Sequence, residues 1–138
     1  MQNNARALLI LLGLLGAIGS ANATLPIETW QTSAGTRVLF VETHDLPMLD
    51  VAVDFPAGAS RDTRERSGLA ALTLSLMRMG TQTSNEEDIS ARLADVGADL
   101  SSRFDTDRAG LSIRTLSSAR ERAEALAVLA DLLHHPVF

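Results

Sequence analysis

The sequence predicts an α+β domain with a mostly antiparallel sheet that is covered by helices on one face. Stretches of alternating or β-branched residues come early in the chain and again near its end, two stretches open with capping-box sequences, and short turn sequences join neighbouring strands. The predicted order is three strands, two helices, two strands and a final helix. Strands grouped apart from helices are typical of α+β domains.

The first three predicted strands lie near the start of the chain. Ile27–Thr32 alternates apolar and polar residues, and Thr36–Glu42 is rich in β-branched and apolar residues. With the turn sequence Ser33-Ala34-Gly35 between them, these two strands predict a hairpin. In Met48–Phe55 every second residue is a large apolar one, and Asp50 and Asp54 fall on the opposite face, which predicts a half-buried strand. Its apolar positions are Leu49, Val51, Val53 and Phe55.

The first predicted helix covers Gly68–Met79 and follows a charged loop over residues 56–66. Ser67 is its expected N-cap, because a serine side chain can accept a hydrogen bond from the first turn. This helix is apolar nearly all round, and we therefore expect it to be buried. One apolar stripe along it consists of Leu69, Leu72, Leu76 and Met79.

Two further helices begin with capping-box sequences, in which a serine precedes a glutamate by three residues. The box Ser84–Glu87 opens a helix that runs to Val96 and is closed by Gly97. The box Ser118–Glu121 opens the last helix, which is followed closely by Pro136. The apolar stripe that this last helix is expected to bury consists of Leu126, Leu129, Ala130 and Leu133.

Two strands, Ala98–Phe104 and Arg108–Thr115, are predicted between these helices. Asp105 and Asp107 flank the turn that joins them and would suit a calcium ion, but aspartate is an ordinary turn former and we interpret them as such. The adjacent His134-His135 point about 100° apart on a helix and cannot form a tight pair on one metal alone. We interpret them as favourable to the dipole at the C-terminus of the last helix.

The composition excludes several classes of function. The chain has no cysteine, which excludes a disulfide framework, a cysteine-ligated zinc ion and a thiol nucleophile. All twelve basic residues are arginine, so there is no lysine for a phosphate-binding loop or a Schiff base. The formal net charge of −5 argues against a nucleic-acid partner and against an anionic membrane surface.

The N-terminus has the composition of a secretory signal peptide. Arg6 supplies a basic region, residues 7–18 are apolar, and Ala21-Asn22-Ala23 forms an Ala-x-Ala cleavage site. The apolar run is short for a membrane span, which needs about 20 residues. We therefore expect residues 1–23 to be cleaved, leaving a periplasmic or secreted bacterial domain over residues 24–138 that has no membrane attachment.

Residues 68–81 resemble the active-site helix of the insulinase/pitrilysin-like zinc peptidases. In that family a Gly-Leu-Ala sequence leads into His-x-x-Glu-His, and the segment closes on Gly-Thr. Gly68-Leu69-Ala70 and Gly80-Thr81 match the two ends of this segment. The two histidine positions, however, are occupied by Ala71 and Ser75, and the glutamate position by Leu74.

Further short matches to this family follow in the same order along the chain. They imply a ferredoxin-like α+β domain of the insulinase type, and a chain that covers the N-terminal part of such a domain and is incomplete at its C-terminus. The matching segments are Thr32–Val38, Ala57–Asp62, Ser84–Leu93, Val96–Ala98, Leu129–Asp131 and His135–Phe138.

The chemistry of the family cannot be carried over to this chain. Its zinc ion needs two neutral imidazoles one helical turn apart, and a glutamate acts on the bound water as general base. Ala71 has no lone pair to offer, the hydroxyl of Ser75 is a poor zinc ligand, and Leu74 cannot accept a proton. We therefore predict no catalytic residue, no metal-binding residue and no bound cofactor in this chain.

The resemblance implies a non-catalytic subunit. Such a subunit would form a heterodimer with an insulinase-like subunit that carries His-x-x-Glu-His and the zinc ion, and the two would enclose and degrade peptides. The alternative is a peptide-binding or scaffold domain of the same fold with no role in proteolysis.

The resemblance also implies a place where a peptide binds. In this family peptides add to a sheet edge by β-augmentation, in which main-chain hydrogen bonds give affinity. The strand Ala98–Phe104 occupies the corresponding place, and a plain surface strand is an equally good interpretation of it. The candidate peptide-binding residues on this edge are Ser101, Ser102, Arg103 and Phe104.

Overall fold

Five strands and three helices form over residues 25–138, the part of the chain that the computed structural model describes, and they follow the predicted order. The chain separates into two units, one ending at His44 and one running from Asp45 to Phe138. The predicted signal peptide, residues 1–23, lies outside the described residues. Within residues 25–138, no helix is both long enough and apolar enough to span a membrane.

The described part of the first unit is a β-hairpin. Strands β1 (Ile27–Gln31) and β2 (Arg37–Val41) pair antiparallel along their whole length. The rings of Trp30 and Phe40 meet edge to face, with their centroids 6.3 Å apart, which is a favourable geometry for an aromatic pair. The predicted hairpin is therefore confirmed.

The second unit contains an antiparallel sheet of three strands, β3 (Met48–Phe55), β4 (Asp99–Phe104) and β5 (Ala109–Leu116). The strand order is β3-β5-β4, so that β5 lies in the centre and is paired on both sides. Side chains alternate across β5: Leu111 and Ile113 are buried, whereas Arg114 is exposed. One face of the sheet is therefore apolar and the other is polar.

Three helices cover the apolar face, namely α1 (Leu69–Met77), α2 (Glu86–Asp95) and α3 (Ala119–His134). All three contribute side chains to one core with β5, which confirms the predicted α+β architecture with helices on one face of an antiparallel sheet. The core cluster consists of Leu74, Ile89, Leu93, Ala109, Leu111, Ile113, Ala125, Val128, Leu129 and Leu132.

The expectation that α1 is buried is wrong. Leu74 is the buried residue of this helix, at 6% exposure, and it lies outside the stripe that the sequence suggested. Within that stripe, Leu72 is 56% exposed, and Leu69 and Met79 are about half exposed. The helix is apolar nearly all round, so its sequence does not select the face that packs on the sheet.

The buried face of α3 is displaced by one residue from the predicted stripe. Ala125, Val128, Leu129 and Leu132 are buried, whereas Ala130 is exposed and Leu126 and Leu133 are half-buried. These four buried positions follow the i, i+3, i+4, i+7 spacing of one helix face. Val128 and the small Ala125 belong to the core cluster that includes β5, whereas the sequence pattern favoured the leucines.

Two of the three predicted helix caps also differ. Ser67 does not cap α1; instead the carboxylate of Asp62 accepts hydrogen bonds from the backbone N–H groups of Gly68 at 2.7 Å and Ala70 at 2.9 Å. An acidic group placed there also complements the helix dipole. The capping box of α2 is formed by Asn85 and Asp88, one residue later than predicted.

The predicted cap of α3 is confirmed in its position. Ser118 is the N-cap residue, although its hydroxyl donates to the Glu121 carboxylate at 2.5 Å and makes no hydrogen bond to the backbone of the first turn. The predicted turn between β4 and β5 is also confirmed, because the Asp105 carboxylate accepts hydrogen bonds from the backbone N–H groups of Asp107 and Arg108, both at 2.8 Å.

The loop that leads from β3 to α1 is fixed against the β4–β5 turn. The backbone N–H groups of Ala59 and Ser60 donate to the carbonyl oxygens of Asp105 and Thr106, at 3.1 and 2.7 Å. Gly58 makes this approach possible, because a Cβ atom at this residue would lie 2.4 Å from the backbone nitrogen of Arg108. This contact sets where the chain enters α1.

Gly58→Ala should therefore destabilise the domain. The added methyl group meets backbone atoms and cannot be accommodated by a change of rotamer, so we expect a loss of about 1–3 kcal/mol in the free energy of unfolding. Urea unfolding followed by circular dichroism measures this loss. Ser60→Ala, an exposed substitution in the same loop, is the control and should change the free energy by less than about 0.5 kcal/mol. Equal stability of the two variants would contradict the proposed role of Gly58.

Candidate functional site

The three positions that correspond to the zinc-peptidase motif lie on α1. Ala71 is half-buried and Ser75 is exposed, one helical turn further along. The Ser75 hydroxyl donates to the Ala71 carbonyl oxygen at 3.0 Å, so it is directed back onto its own helix. The two positions keep the spacing of the family ligands, but their side chains offer no donor pair for a metal ion.

Leu74, at the glutamate position, belongs to the hydrophobic core and is 6% exposed, and it lines an apolar cavity of about 740 Å³ together with Leu69 and Leu111. A methyl group, a hydroxyl bonded within the helix and a buried leucine do not fit a zinc ion or its activated water. Within residues 25–138, no three histidine or acidic side chains lie close enough together to hold a metal ion. We therefore derive no metal-dependent step for this helix.

The predicted peptide-binding residues all lie on β4, at an edge of the described sheet. Among the strands of residues 25–138, β4 pairs with β5 alone, and its other side has no strand partner. Ser101 and Ser102 are exposed, and Phe104 is 43% exposed. An unpaired strand edge offers backbone N–H and C=O groups to an extended peptide.

These four residues point to opposite faces of the sheet. Ser101 and Arg103 pair with residues of β5 that belong to the polar face, whereas Ser102 and Phe104 lie opposite Leu111 and Ala109, which belong to the helix-covered face. On the polar face, the Arg103 guanidinium reaches across β5 to Asp54, with Nη1 and Oδ2 3.5 Å apart.

Gly110 separates Arg103 from Asp54 in this cross-strand row. A Cβ atom at Gly110 would lie 2.6 Å from the Asp54 carboxylate and 2.3 Å from the Val53 carbonyl oxygen, so no larger residue fits between the two charged groups. Arg103 is therefore held on the polar face of the sheet by an ion pair.

A cavity of about 400 Å³ lies between α1, α2 and the helix-facing side of β4. Of the three motif positions and the four edge-strand residues, two line this cavity, namely Ser75 and Ser102. The other five candidate residues do not, namely Ala71, Leu74, Ser101, Arg103 and Phe104. Its remaining walls are mixed in polarity and consist of Arg78, Met79, Glu86, Ile89, Ser90, Leu93, Ala94, Ala98 and Leu100.

Arg78 is the basic residue of this cavity, and the sequence did not single it out as a site residue. It directly follows α1, and its Nη2 donates to the carbonyl oxygen of Leu100 on β4 at 3.3 Å. Its Nε is buried and has no hydrogen-bond partner. The sequence did contain a signal for Arg78 as a site residue. Arg78 lies three residues after Ser75 in an otherwise apolar stretch, and this spacing places both residues on one side of a helix.

The Gly-Thr segment after α1 is fixed to the end of α3. The Asp131 carboxylate accepts hydrogen bonds from the hydroxyls of Thr81 at 2.6 Å and Thr83 at 3.0 Å, and it lies 3.0 Å from Nδ1 of His135. These contacts, above all the Thr81 hydrogen bond, lower the pKa of Asp131. This cluster holds the loop that positions Arg78 at the cavity.

Comparison with known proteins identifies relatives for this chain. A family model described as insulinase, peptidase family M16, matches residues 37–138. A solved structure of a peptidase M16 inactive domain from Pseudomonas fluorescens is 35% identical over 83% of this chain, with a TM-score of 0.78. A protease from Helicobacter pylori shares the fold, with 16% identity over 83% of this chain and a TM-score of 0.73.

This chain spans only part of those structures, covering 27% of the length of each. No match was found among curated proteins.

Restoring the glutamate at the motif position should damage the fold. Leu74→Glu places a carboxylate in the hydrophobic core, so we expect it to lower the free energy of unfolding by at least about 2 kcal/mol at neutral pH. Ser75→His, at the exposed neighbouring position, is the control and should cost less than about 1 kcal/mol. Urea unfolding of both variants makes the comparison. A Leu74→Glu variant as stable as wild type would show that this position still faces an open site.

The Asp131 cluster should make stability depend on pH in the acidic range. Because the folded state lowers the pKa of Asp131, it binds fewer protons than the unfolded chain, and the stabilisation is present above the ordinary carboxyl pKa and lost as pH falls through the lowered value. Asp131→Asn should therefore lower the melting temperature at pH 7 and make little difference once pH is well below about 4. Asp45→Asn, at an exposed bend, is the control. A melting-temperature difference that stays constant from pH 7 to pH 3 would contradict this role.

Proposed function

The chain belongs to the insulinase family, peptidase family M16, as a homologue of an inactive domain of that family, and from this membership we propose that it acts as the non-catalytic subunit of a periplasmic insulinase-like zinc peptidase. In this proposal it forms a heterodimer with a subunit that carries His-x-x-Glu-His and the zinc ion. The two subunits together enclose and degrade peptides.

The observation that carries the proposal is which side chains occupy the motif positions of α1 and where those side chains lie. The helix keeps the glycine lead-in and the Gly-Thr close of the family segment, while Leu74 packs in the core and the Ser75 hydroxyl bonds to its own helix. A catalytic glutamate must reach a metal-bound water, and a core leucine cannot. The fold that presents the segment is retained although its hydrolytic groups are gone, which favours a role beside an active subunit.

The edge strand β4 supports a share in peptide binding. It lies beside the helix that carries the motif positions, since Arg78, which follows α1, donates a hydrogen bond to the Leu100 carbonyl oxygen of β4. Backbone pairing at this edge would hold an extended peptide with little dependence on its sequence. In the assembled heterodimer, this chain would bind peptide and the partner subunit would cleave it.

The periplasmic location and the zinc-bearing partner subunit also belong to the proposed function. The predicted signal peptide over residues 1–23 directs the protein to the periplasm, and the acidic composition favours protein and peptide partners over nucleic acid. The alternative, a peptide-binding or scaffold domain with no role in proteolysis, uses the same edge strand and differs in needing no catalytic partner.

The full-length protein should hydrolyse no peptide by itself and should support hydrolysis when its partner is present. The measurement uses a quenched fluorescent peptide with the purified protein, with a His-x-x-Glu-His subunit encoded beside it, and with both together. We expect cleavage by the pair, at a rate at least tenfold above that of the partner alone, abolished by a chelator and restored by zinc. The control is a partner subunit whose motif glutamate is replaced by glutamine.

Two outcomes would contradict this function in different ways. Chelator-sensitive hydrolysis by the purified full-length protein alone would mean that it is catalytic. A protein that binds peptide but neither associates with the partner nor changes its rate would favour the scaffold alternative.

A further inference from the structure

We propose that the cavity between α1, α2 and β4 is a specificity pocket that receives an acidic side chain of a peptide bound along β4, and that Arg78 is the residue that recognises it. This inference rests on the proposed peptide binding at β4 and adds a side-chain preference to it. The preference would select substrates that carry aspartate or glutamate.

The position of the cavity follows from the register of the edge strand. Leu100 and Ser102 line it from β4, and both belong to the helix-covered face of the sheet. A strand that pairs with the free edge of β4 places every second side chain on that same face, beside its cross-strand neighbour. The residue of a bound peptide that lies beside Leu100 and Ser102 is therefore directed into the cavity.

The positive charge in the cavity is provided by Arg78. Its Nη2 is anchored to the Leu100 carbonyl oxygen, which fixes the guanidinium beside the strand edge. Its Nε is buried without a hydrogen-bond partner, and within residues 25–138 it makes no ion pair. A guanidinium without an ion-pair partner favours a planar carboxylate, which can accept two parallel hydrogen bonds from it.

The other polar groups of the cavity suit the same ligand. Ser75, Ser90 and Ser102 bring hydroxyls that can donate to a carboxylate oxygen, although the Ser75 hydroxyl already donates to Ala71. Glu86 is the one acidic group that lines the cavity. It is exposed in the first turn of α2 and forms no ion pair with Arg78, so solvent screens its repulsion of a bound carboxylate.

Peptides that differ in one residue test the preference. Extended nine-residue peptides with blocked ends and a fluorescent label would carry either glutamate or glutamine at the central position, and their binding to the full-length protein would be measured by fluorescence anisotropy. We expect the glutamate peptide to bind at least about tenfold more tightly, the size of a charge-assisted hydrogen bond. Arg78→Gln should remove that difference by weakening the glutamate peptide.

Two further variants separate recognition from folding. Arg64→Gln removes an equal charge from an exposed residue of the loop before α1 and should keep the preference for glutamate. Ser102→Asp adds a carboxylate at an exposed position beside Arg78 and should also abolish the preference, whereas the same substitution at the exposed Ser117 should not. The Ser102 variant keeps the test decisive if Arg78→Gln fails to fold.

The possible results distinguish the role of Arg78 from peptide binding at β4. Equal binding of the glutamate and glutamine peptides to wild-type protein would overturn the role of Arg78 and leave peptide binding at β4 intact. A preference for glutamate that survives both Arg78→Gln and Ser102→Asp would place the recognition elsewhere and would also overturn the inference. The absence of binding by either peptide would overturn both the inference and the proposed binding at β4.

Discussion

Burial of the central strand β5 is the constraint on which the second unit depends. Leu111 and Ile113 are almost completely removed from solvent, and they belong to one core cluster with Val128 and Leu132 of α3. Each fully buried aliphatic side chain contributes about 1.5–3 kcal/mol relative to its exposed state. The helices lie on one face of the sheet because only that face of β5 is apolar.

This constraint explains why a helix that has lost its catalytic residues keeps its place. α1 is attached to the core through Leu74, which stands at the position of the family's glutamate, and its two ends are fixed by the Asp62 carboxylate and by the Asp131 cluster beyond Gly80-Thr81. None of these attachments requires a metal ion. The helix therefore remains a structural element next to β4, and Arg78, which directly follows it, gives the adjacent cavity a positive charge.

The sequence predicted the elements better than it predicted their packing. In Met48–Phe55 every second residue is a large apolar one, and the strand has the predicted bounds, because this period of two is the signal of a half-buried strand. The face of α1 could not be predicted, since a helix that is apolar nearly all round carries no such signal. The Asp62 cap was also missed, because it arises from a loop that returns to the helix after six residues, and local capping rules describe shorter distances. Of the site, the three degenerate positions and the edge strand could be located from the sequence, whereas the cavity of Arg78 depends on how α1, α2 and β4 meet.

The central claim is that this chain occupies the non-catalytic place in a zinc peptidase heterodimer. Native mass spectrometry of the complex isolated from the periplasm with the full-length protein tests it most directly, because one mass reports the companion chain and the number of zinc ions together. The account predicts a one-to-one complex with a subunit that carries His-x-x-Glu-His, with one zinc ion that stays with that subunit when the complex dissociates. A zinc ion that stays with this chain, or a chain isolated without any peptidase companion, would contradict it.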